Sequence, residues 1–337
     1  MKAEVSNFYL VTGGTGFLGS ALVRRLVADG HRVRVFDNNS RGRATRLADL
    51  DGRFEYLEGD VRDPRAVAAA VAGVDSVCHL AFINGTAFFY SQPDLVLDVA
   101  VKGMANVLDA CTAAGVGELI LTSSSEVYQS PPAIPTDEST PLSIPDVLNP
   151  RYSYAAGKII NEVMAINFGR LHLKRVVIVR PHNVYGPDMG WEHVIPQLVV
   201  RMKRLSESAG DPIDFPIQGT GTQTRSFVYI DDFIDGLALA MHRGDHLGIY
   251  HVGTMEEIAI ADVSRMIGEF FGRRIRIVPS AAALGGTDRR CPDIAKMTAL
   301  GYRPKVSFRQ GLSLAARWYA DHAHLAPPEN TVRNVTP

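Results

Sequence analysis

A glycine-rich segment between an apolar run and an amphipathic stretch constrains the fold of this chain most. The run NFYLVT reads as a buried strand, and TGGTGFLG follows it directly. Gly14, Gly16 and Gly19 match the spacing GxGxxG, and Gly13 in place of Gly14 gives GxxGxxG. The glycines permit a tight turn, and the helix predicted from Phe17 directs free N–H groups at a phosphate. The segment therefore predicts a dinucleotide site between a strand and a helix.

Short apolar runs alternate with longer helical patterns through the first half of the chain. HRVRVFD, FEYLEG, DSVCHLA, ELILTS and RVVIVR read as strands, separated by stretches such as FLGSALVRRLVADG and PRAVAAAVAG. Strand, helix, strand in succession implies parallel pairing through right-handed crossovers. We therefore predict an α/β fold, a Rossmann-type doubly wound parallel sheet with a smaller mixed α/β lobe.

The alternation stops after Arg180, where five prolines fall between residues 181 and 216. We predict a Rossmann domain over 1–180, and 225–251 returning to it, since FVYIDDFIDGLALAMHR has helical spacing and IYHVG reads as a strand. The remaining segments, 181–224 and 252–325, are predicted to form a substrate lobe over the carboxyl ends of the strands, where ligands bind in such sheets. Residues 326–337 are predicted to form a flexible tail, which carries the sequon Asn334-Val335-Thr336.

Composition points to a soluble protein with a small-molecule partner. With 46% hydrophobic residues, 21% charged residues and a formal net charge of −1, the chain offers no electrostatic case for nucleic acid or a membrane surface. No apolar run approaches the ~20 residues of a membrane helix, and no secretory signal is expected. Cys78, Cys111 and Cys291 lack CxxC or metal-ligand spacing, so we expect reduced thiols in a cytoplasm and no metal.

Tyr154 and Lys158 lie four residues apart in RYSYAAGKIINE, on one face of a predicted helix. The ammonium can lower the pKa of the phenol, which would then serve as a base. Bringing that pKa from about 10 to about 7 takes roughly 4 kcal/mol, more than the ~0 to 1 kcal/mol of an exposed ion pair. The pair therefore needs a shielded site and a second positive charge, such as an oxidised nicotinamide ring.

Carboxylates near the predicted dinucleotide site indicate which nucleotide binds. Asp37 ends the second strand, where a carboxylate accepts hydrogen bonds from the adenosine ribose. It would repel a 2′-phosphate, so we expect NAD rather than NADP, although Arg41 and Arg43 follow closely. Asp60, in GDVRD, is a candidate adenine contact, or alternatively a helix cap ahead of Pro64.

The run SSSE, residues 123–126, follows a predicted strand and faces the expected cleft. A serine hydroxyl there can relay a proton between Tyr154 and a substrate hydroxyl or carbonyl. Glu126 can remove or return a carbon-bound proton once the neighbouring carbon is a ketone. The alternative is a loop carboxylate that caps a backbone N–H.

With these motifs the chain resembles the extended short-chain dehydrogenase/reductase family, in its NAD-dependent nucleotide-sugar epimerase/dehydratase branch. The resemblance covers about residues 7–320. It is carried by TGGTGFLG, DNNSRG, GDVRD, HLA, SSSEVY, Tyr154 with Lys158, RPHNVYGP, RSFVYIDD and RRCPDIAKMTALGYRP.

The resemblance implies a role for each matching residue. Ser124, Tyr154 and Lys158 would form the catalytic triad, with Glu126 as a further acid or base. The residues implied in NAD binding are Gly13, Gly16, Phe17, Leu18, Gly19, Asp37, Asn38, Asp60, Val61, Leu80, Ala81, Tyr154 and Lys158. Those implied in binding a nucleotide diphosphate sugar are Ser125, Asn183, Arg225 and Arg290, the two arginines as diphosphate clamps. A homodimer, joined through the helix near 93–114 and the Tyr154 helix, is also implied.

The chain departs from the family's pattern at several positions around the implied sugar pocket. Ala100 stands in the long helix where the family often has Asn, His251 replaces the Asn of the YNVG-type strand, and Gln129 replaces the Gly after VY. The family's 4,6-dehydratases commonly place Asp then Glu after the catalytic Ser or Thr. Here Ser125 precedes Glu126, an order similar to some GDP-mannose dehydratases and UDP-glucuronate decarboxylases.

Three functions follow from these residues. The leading hypothesis is an NAD-dependent epimerase that transiently oxidises C4 of an NDP-hexose. The alternative is an NDP-sugar dehydratase or NDP-uronate decarboxylase that uses Glu126 as acid and base. A non-catalytic NAD-binding sensor is the third, and the intact triad argues against it.

Overall fold

The computed structural model describes residues 6–208, 210–281 and 286–327. Numbered along the chain, the strands are β1 (Phe8–Thr12), β2 (Arg32–Asp37), β3 (Glu55–Glu58), β4 (Ser76–His79), β5 (Glu118–Thr122), β6 (Arg175–Pro181), β7 (Val184–Tyr185), β8 (Ile213–Gln218), β9 (Thr224–Ser226), β10 (Val228–Tyr229), β11 (Gly248–Val252), β12 (Glu257–Ala259), β13 (Ile275–Ser280) and β14 (Arg289–Arg290). The helices are α1 (Phe17–Ala28), α2 (Pro64–Val71), α3 (Thr86–Ser91), α4 (Pro93–Ala114), α5 (Ser153–His172), α6 (Val194–Ser208), α7 (Ile230–Arg243), α8 (Ile260–Phe270), α9 (Ala295–Leu300) and α10 (Phe308–Asp321).

Seven strands form a parallel sheet in the order β11-β6-β5-β4-β1-β2-β3. Strand order reverses beside β1, because the chain first proceeds through β2 to β3 and then returns to place β4 on the other side of β1. Ligands bind at this switch point in doubly wound sheets, outside the carboxyl ends of the strands. The predicted Rossmann-type α/β fold is confirmed.

The sheet is covered on both faces, as the strand periodicity requires. Tyr9 and Val11 of β1 pack into one core with α1 and α7, whereas Phe8 and Leu10 pack into the other with α2, α4 and α5. All five residues of β1 are buried, which explains why the strand reads as an unbroken apolar run.

Three small sheets form in the second half of the chain: β7 with β10, β12-β9-β14, and β13 with β8. Between these segments α7 packs against α1, and β11 pairs with β6 at the edge of the main sheet. The domain boundaries drawn from the sequence stay a prediction.

Features outside the sheet bear on the remaining expectations. Cys78, Cys111 and Cys291 are buried free thiols. Within the residues that the structure describes, no helix is both long enough and apolar enough to cross a membrane. Of the predicted tail only residues 326 and 327 are described, and the sequon at 334–336 lies outside the described residues.

Candidate functional site

A cavity of about 440 Å³ lies at the carboxyl ends of the central strands. Of the residues implied by the resemblance, those on its wall are Gly13, Gly16, Phe17, Leu18, Gly19, Asp37, Asn38, Asp60, Val61, Leu80, Ala81, Ser124, Ser125, Glu126, Tyr154, Lys158, Asn183 and Arg290. Arg225 is the one such residue, all being in the described part of the chain, that does not line the wall. One cavity thus brings together residues that the sequence could only assign to separate motifs.

The glycine loop fits a pyrophosphate, because the backbone leaves no room for side chains. Gly13 has φ +71°, and a Cβ there would lie 2.7 Å from the backbone nitrogen of Ala81. A Cβ on Gly19 would collide with the carbonyl oxygen of Gly13. The loop leads directly into α1, whose N-cap residue Gly16 makes no side-chain capping bond, so free N–H groups face the cavity. These residues would hold the diphosphate of NAD.

Carboxylates line the part of the cavity next to this loop. Asp37 accepts hydrogen bonds from the backbone N–H groups of Thr15 (3.0 Å) and Asn39 (2.8 Å) and is 9% exposed. Asp60 accepts from Arg62 and from the Asn38 amide, and the Arg62 guanidinium lowers the Asp60 pKa to about 2. The cap of α2 is instead Asp63, so Asp60 is not the helix cap that the sequence left open.

Two arginines that would meet a 2′-phosphate are engaged elsewhere. Arg41 forms an ion pair with Glu192 at 2.8 Å, and Arg43 forms one with Asp188. The negative charge of Asp37 is therefore not offset by these guanidinium groups, which favours NAD over NADP.

Tyr154 lies buried near the start of α5, 7% exposed, between two phenylalanine rings. Its ring stacks on Phe89, with centroids 4.8 Å apart, and meets the edge of Phe82 at 5.1 Å. Burial raises the pKa of the phenol, although a hydrogen bond with the Ser124 side chain acts in the opposite direction. The phenol is neutral in this environment. To act as a base it would need a further positive charge nearby, such as the oxidised nicotinamide ring that the sequence predicts.

Lys158 lies one turn further along α5 and is 3% exposed. Its Nζ donates to the carbonyl oxygen of Thr122 at 2.7 Å and lies 4.0 Å from the centre of the Phe82 ring. Burial lowers its pKa to about 7, while the charge of Glu162 acts to raise it. The ammonium is thus held close to the Tyr154 ring, 5.9 Å from its centre, although burial disfavours its charge.

Glu126 and Arg290 form an ion pair across the cavity. Arg290 Nη1 lies 2.5 Å from Glu126 Oε1, and Nη2 donates to Thr287 Oγ1 at 2.9 Å. Burial opposes ionisation of Glu126, yet the charges of Arg290, Arg151 and Arg225 lower its pKa overall. Arg290 is 7% exposed, and its buried Nε–H has no partner among the described residues. The guanidinium thus lies on the cavity wall with a buried donor that the described residues leave without a partner.

The alternative reading of Glu126, a carboxylate that caps a backbone N–H, does not describe its contacts. Ser124 is the cap of the short 3-10 helix at Ser125–Tyr128, since its Oγ accepts from the Glu126 N–H at 3.1 Å. The sequence did not reveal the pairing with Arg290, because the two residues lie 164 positions apart. The sequence had named Glu126 as a further acid or base and Arg290 as a diphosphate clamp, without joining them.

Two of the other implied substrate contacts, Asn183 and Arg225, have backbone partners in this structure. Asn183 has φ +44°, and its amide nitrogen donates to the carbonyl oxygen of Ser226 at 3.0 Å. Arg225 donates to the carbonyl oxygens of Thr224 and Asp288, and burial lowers its pKa to about 10. Their roles toward a substrate stay predictions.

A buried polar network that the motifs did not indicate joins α5 to the serine loop. Glu162, 2% exposed, accepts from Ser123 Oγ at 2.5 Å and from Arg180 Nε and Nη2 at 2.9 and 2.6 Å. Arg180 also donates to the Tyr128 hydroxyl. The network fixes the helix that bears Tyr154 against the segment that bears Ser124.

The model of the NAD dependent epimerase/dehydratase family matches residues 9–253. The chain belongs to this family. It is 32% identical over 311 residues to UDP-glucuronic acid decarboxylase 5 of Arabidopsis thaliana, covering 90% of this chain and 87% of that protein. The chain is therefore an NAD-dependent enzyme of the family that the motifs resembled.

Two solved structures show the same fold with NAD bound. A dTDP-glucose 4,6-dehydratase of Streptomyces venezuelae superposes with a TM-score of 0.84 at 30% identity, covering 95% of this chain and 99% of that one. A UDP-glucose 4-epimerase of Thermus thermophilus does so with a TM-score of 0.81 at 27% identity, covering 93% and 98%. The expectation of NAD is confirmed. The three relatives carry out three different reactions, so family membership leaves the reaction open.

Proposed function

We propose that the protein oxidises C4 of a nucleoside diphosphate sugar and then carries out chemistry at C5, with decarboxylation of an NDP-uronate as the reaction. The observation that carries the proposal is the Glu126–Arg290 pair beside Tyr154, with Arg290 Nε still free among the described residues. A guanidinium with an open donor suits a substrate carboxylate. The 32% identity to a UDP-glucuronic acid decarboxylase supports the same choice.

The first step needs a base at the C4 hydroxyl. Bound NAD supplies the acceptor of a hydride from C4 and later its donor. Tyr154, assisted by Ser124, takes the hydroxyl proton. The positive charge of Lys158, together with that of the oxidised ring, favours the phenolate that burial alone disfavours. The product of this step is a 4-keto sugar.

The second step uses the ketone as an electron sink. A carboxylate on C5 of a 4-keto uronate lies β to the carbonyl, so breaking the bond from C5 to the carboxylate carbon releases CO₂ and leaves an enolate. When the substrate carboxylate binds the Arg290 guanidinium, Glu126 loses the positive charge that most lowers its pKa. Burial then favours the protonated carboxyl, which can deliver a proton to C5. Return of the hydride to C4 and of a proton from Tyr154 to the oxygen completes the cycle.

Dehydration fits this site less well. Elimination of a hydroxyl at C6 needs an acid for the leaving group as well as a base at C5, and Ser125 stands where the family's 4,6-dehydratases commonly have Asp.

C4 epimerisation, which the sequence favoured, is the second candidate. It needs only the triad and NAD, and the ion pair that holds Glu126 to Arg290 in this structure is the observation that favours it.

Incubation in D₂O distinguishes these reactions. The purified protein is given UDP-glucuronate, UDP-glucose, dTDP-glucose and GDP-mannose in turn, and products are identified by NMR. We expect turnover of UDP-glucuronate, with CO₂ release and one deuterium at C5. Unlabelled, C4-inverted product from any of the sugars would instead establish the epimerase. Glu126→Gln is expected to leave C4 oxidation intact and slow product formation. Glu192→Gln, which breaks the ion pair with Arg41, is the matched control.

We further propose that the enzyme is a cytoplasmic homodimer joined through α4 and α5. Leu97 and Val101 lie one turn apart on α4, exposed by 38% and 43%, and Ile160 and Val163 on α5 are exposed by 37% and 47%. Apolar residues at these spacings form stripes on two neighbouring helices, which suits a helical interface.

A further inference from the structure

His251 lies at the end of β11, fully buried, and bridges two parts of the active site. Its Nε2 is 2.7 Å from the hydroxyl of Tyr128, in the short helix that also carries Glu126. Its Nδ1 is 3.0 Å from the carbonyl oxygen of Asp293, three residues after Arg290. The imidazole thus spans the gap between the two segments whose side chains form the Glu126–Arg290 pair.

The hydrogen bonds of this bridge have one possible direction. The carbonyl oxygen of Asp293 can only accept, so the proton of the neutral ring is on Nδ1 and Nε2 is an acceptor. The Tyr128 hydroxyl therefore donates to Nε2, and its oxygen accepts from Arg180 Nη1. Burial lowers the pKa of His251, which keeps the ring in this neutral form. Both ring nitrogens therefore have a hydrogen-bond partner, Nδ1 as the donor and Nε2 as the acceptor.

The segment that carries Arg290 is also held by a second part of the chain. Backbone bonds link Thr136 to Cys291 (2.9 Å) and Asp293 to Thr136 (2.7 Å). The segment of residues 136–138 is itself tied to β11, because Glu138 accepts from the His251 N–H at 2.9 Å. The His251 ring therefore bonds to the segment that carries Arg290. The His251 backbone N–H bonds to the segment of residues 136–138, which supports the Arg290 segment.

We propose that His251 is a positioning residue for Arg290: through the Asp293 carbonyl it holds the guanidinium against Glu126. The proposal rests on the role of Arg290 in the proposed function. His251 does not touch the cavity wall. The family resemblance gives Asn at this position, and an Asn side chain is too short to reach both Tyr128 and Asp293. The histidine bridge is thus a feature of this chain's own active site.

Two isosteric variants separate the two bonds. His251→Asn places an amide nitrogen near the position of Nδ1, which retains the bond to Asp293 and loses the bond to Tyr128. His251→Gln places its amide near the position of Nε2, which retains Tyr128 and loses Asp293. Crystal structures of both variants with NAD are compared with the wild type for the distance from Arg290 Nη1 to Glu126 Oε1. We expect the wild-type contact in the Asn variant and its loss in the Gln variant.

Kinetics with UDP-glucuronate give the second readout. The Gln variant is expected to slow product formation on the order of tenfold or more at unchanged KM, with the rate of C4 oxidation unchanged. In an Arg290→Ala background the same change should cause no further loss, because His251 acts through Arg290. Thermal unfolding and NAD content establish that each variant is folded. Tyr128→Phe, which removes the bond to Nε2 and leaves the bond from Nδ1 to Asp293, should keep the Arg290 contact. If His251→Gln does not fold, His251→Leu, which removes both bonds of the ring, is compared with Tyr128→Phe for loss of that contact.

The contradicting results are specific. An unmoved Arg290 in the Gln variant, equal displacement in both variants, or displacement in Tyr128→Phe would overturn the positioning role. If His251→Gln slows product formation in the Arg290→Ala background as much as it does in the wild type, the positioning role is also overturned. If Arg290→Ala itself leaves product formation unchanged, the proposed function fails, and the crystallographic comparison still decides whether His251 positions the guanidinium.

Discussion

At the scale of single residues, Lys158 is a buried lysine whose desolvation disfavours its positive charge. Its pKa is lowered from 10.5 to about 7, so between these values the unfolded chain binds a proton that the folded chain does not. The contribution of Lys158 to the free energy of unfolding therefore rises with pH across this window, and the penalty is complete below about pH 7.

Lys158→Met is expected to stabilise the NAD-free protein more at about pH 6.5 than at about pH 9.5. The difference should be on the order of 1 to 3 kcal/mol, because the folded protein holds a desolvated ammonium at pH 6.5 and a neutral amine at pH 9.5. Urea unfolding at the two pH values measures it. Lys102→Met, at a lysine that is 62% exposed, is the control. Equal effects at both pH values would contradict a strained ammonium at position 158.

A second residue-scale prediction concerns the glycine loop. Gly19→Ala is expected to destabilise the protein by about 1 to 3 kcal/mol and to release NAD, because the new methyl group would collide with the Gly13 carbonyl. Gly117→Ala is the control, since a Cβ there would meet its nearest neighbour at an ordinary 3.6 Å. NAD content after purification and thermal unfolding provide the measurements. Retention of NAD by the Gly19 variant would show that the loop can relax.

The loop also shows what local sequence could predict. The spacing of Gly13, Gly16 and Gly19 predicted both a tight turn and a dinucleotide site, because the turn and the close approach of backbone to a phosphate depend only on residues within this short segment. Gln129 shows the opposite case. It occupies φ +53°, where the family resemblance gives Gly, and its amide donates to the Glu126 carbonyl at 2.6 Å. No sequence rule assigns glutamine to that conformation, and the Gln129 carbonyl also accepts from Thr287 Oγ1 at 3.1 Å, a contact with a distant segment that local sequence does not show.

At the scale of elements, the helices and strands of the parallel sheet were predictable because each carries its own periodicity. The contacts between distant elements were not. Glu162 on α5 meets Arg180 on β6, and Glu126, just after β5, meets Arg290 of β14, which belongs to a separate small sheet. All but one of the candidate residues named from the sequence line the cavity, whereas the pairing of Glu126 with Arg290, on which the proposed reaction depends, required the structure.

The exposed stripes on α4 and α5 allow a prediction for assembly. The double variant Val101→Lys with Ile160→Lys is expected to convert the proposed dimer to a monomer at micromolar concentration, since the lysines of both protomers would meet near a two-fold axis. Leu314→Lys, at a 51% exposed leucine on α10, is the control. Analytical ultracentrifugation measures the masses. A wild-type monomer, or an unchanged dimer in the double variant, would contradict the interface.

At the scale of the whole molecule, the fold divides the work of the site. The sheet and its glycine loop hold the cofactor, α5 presents Tyr154 and Lys158, and the later segments bring Arg290 to Glu126. In the proposed function, the cofactor site and the triad carry out the oxidation at C4, and the Glu126–Arg290 pair directs the 4-keto sugar to decarboxylation.

The most direct test follows one hydrogen atom through the reaction. UDP-glucuronate with deuterium at C4 is converted in ordinary water, and the product is examined by NMR and mass spectrometry. We predict a decarboxylated sugar that keeps the deuterium at C4 and carries two protium atoms at C5. Transfer of the label from C4 to C6 when 4-deuterated dTDP-glucose or GDP-mannose is supplied instead, or inversion at C4 with every carbon retained, would contradict the central claim that this site decarboxylates a uronate.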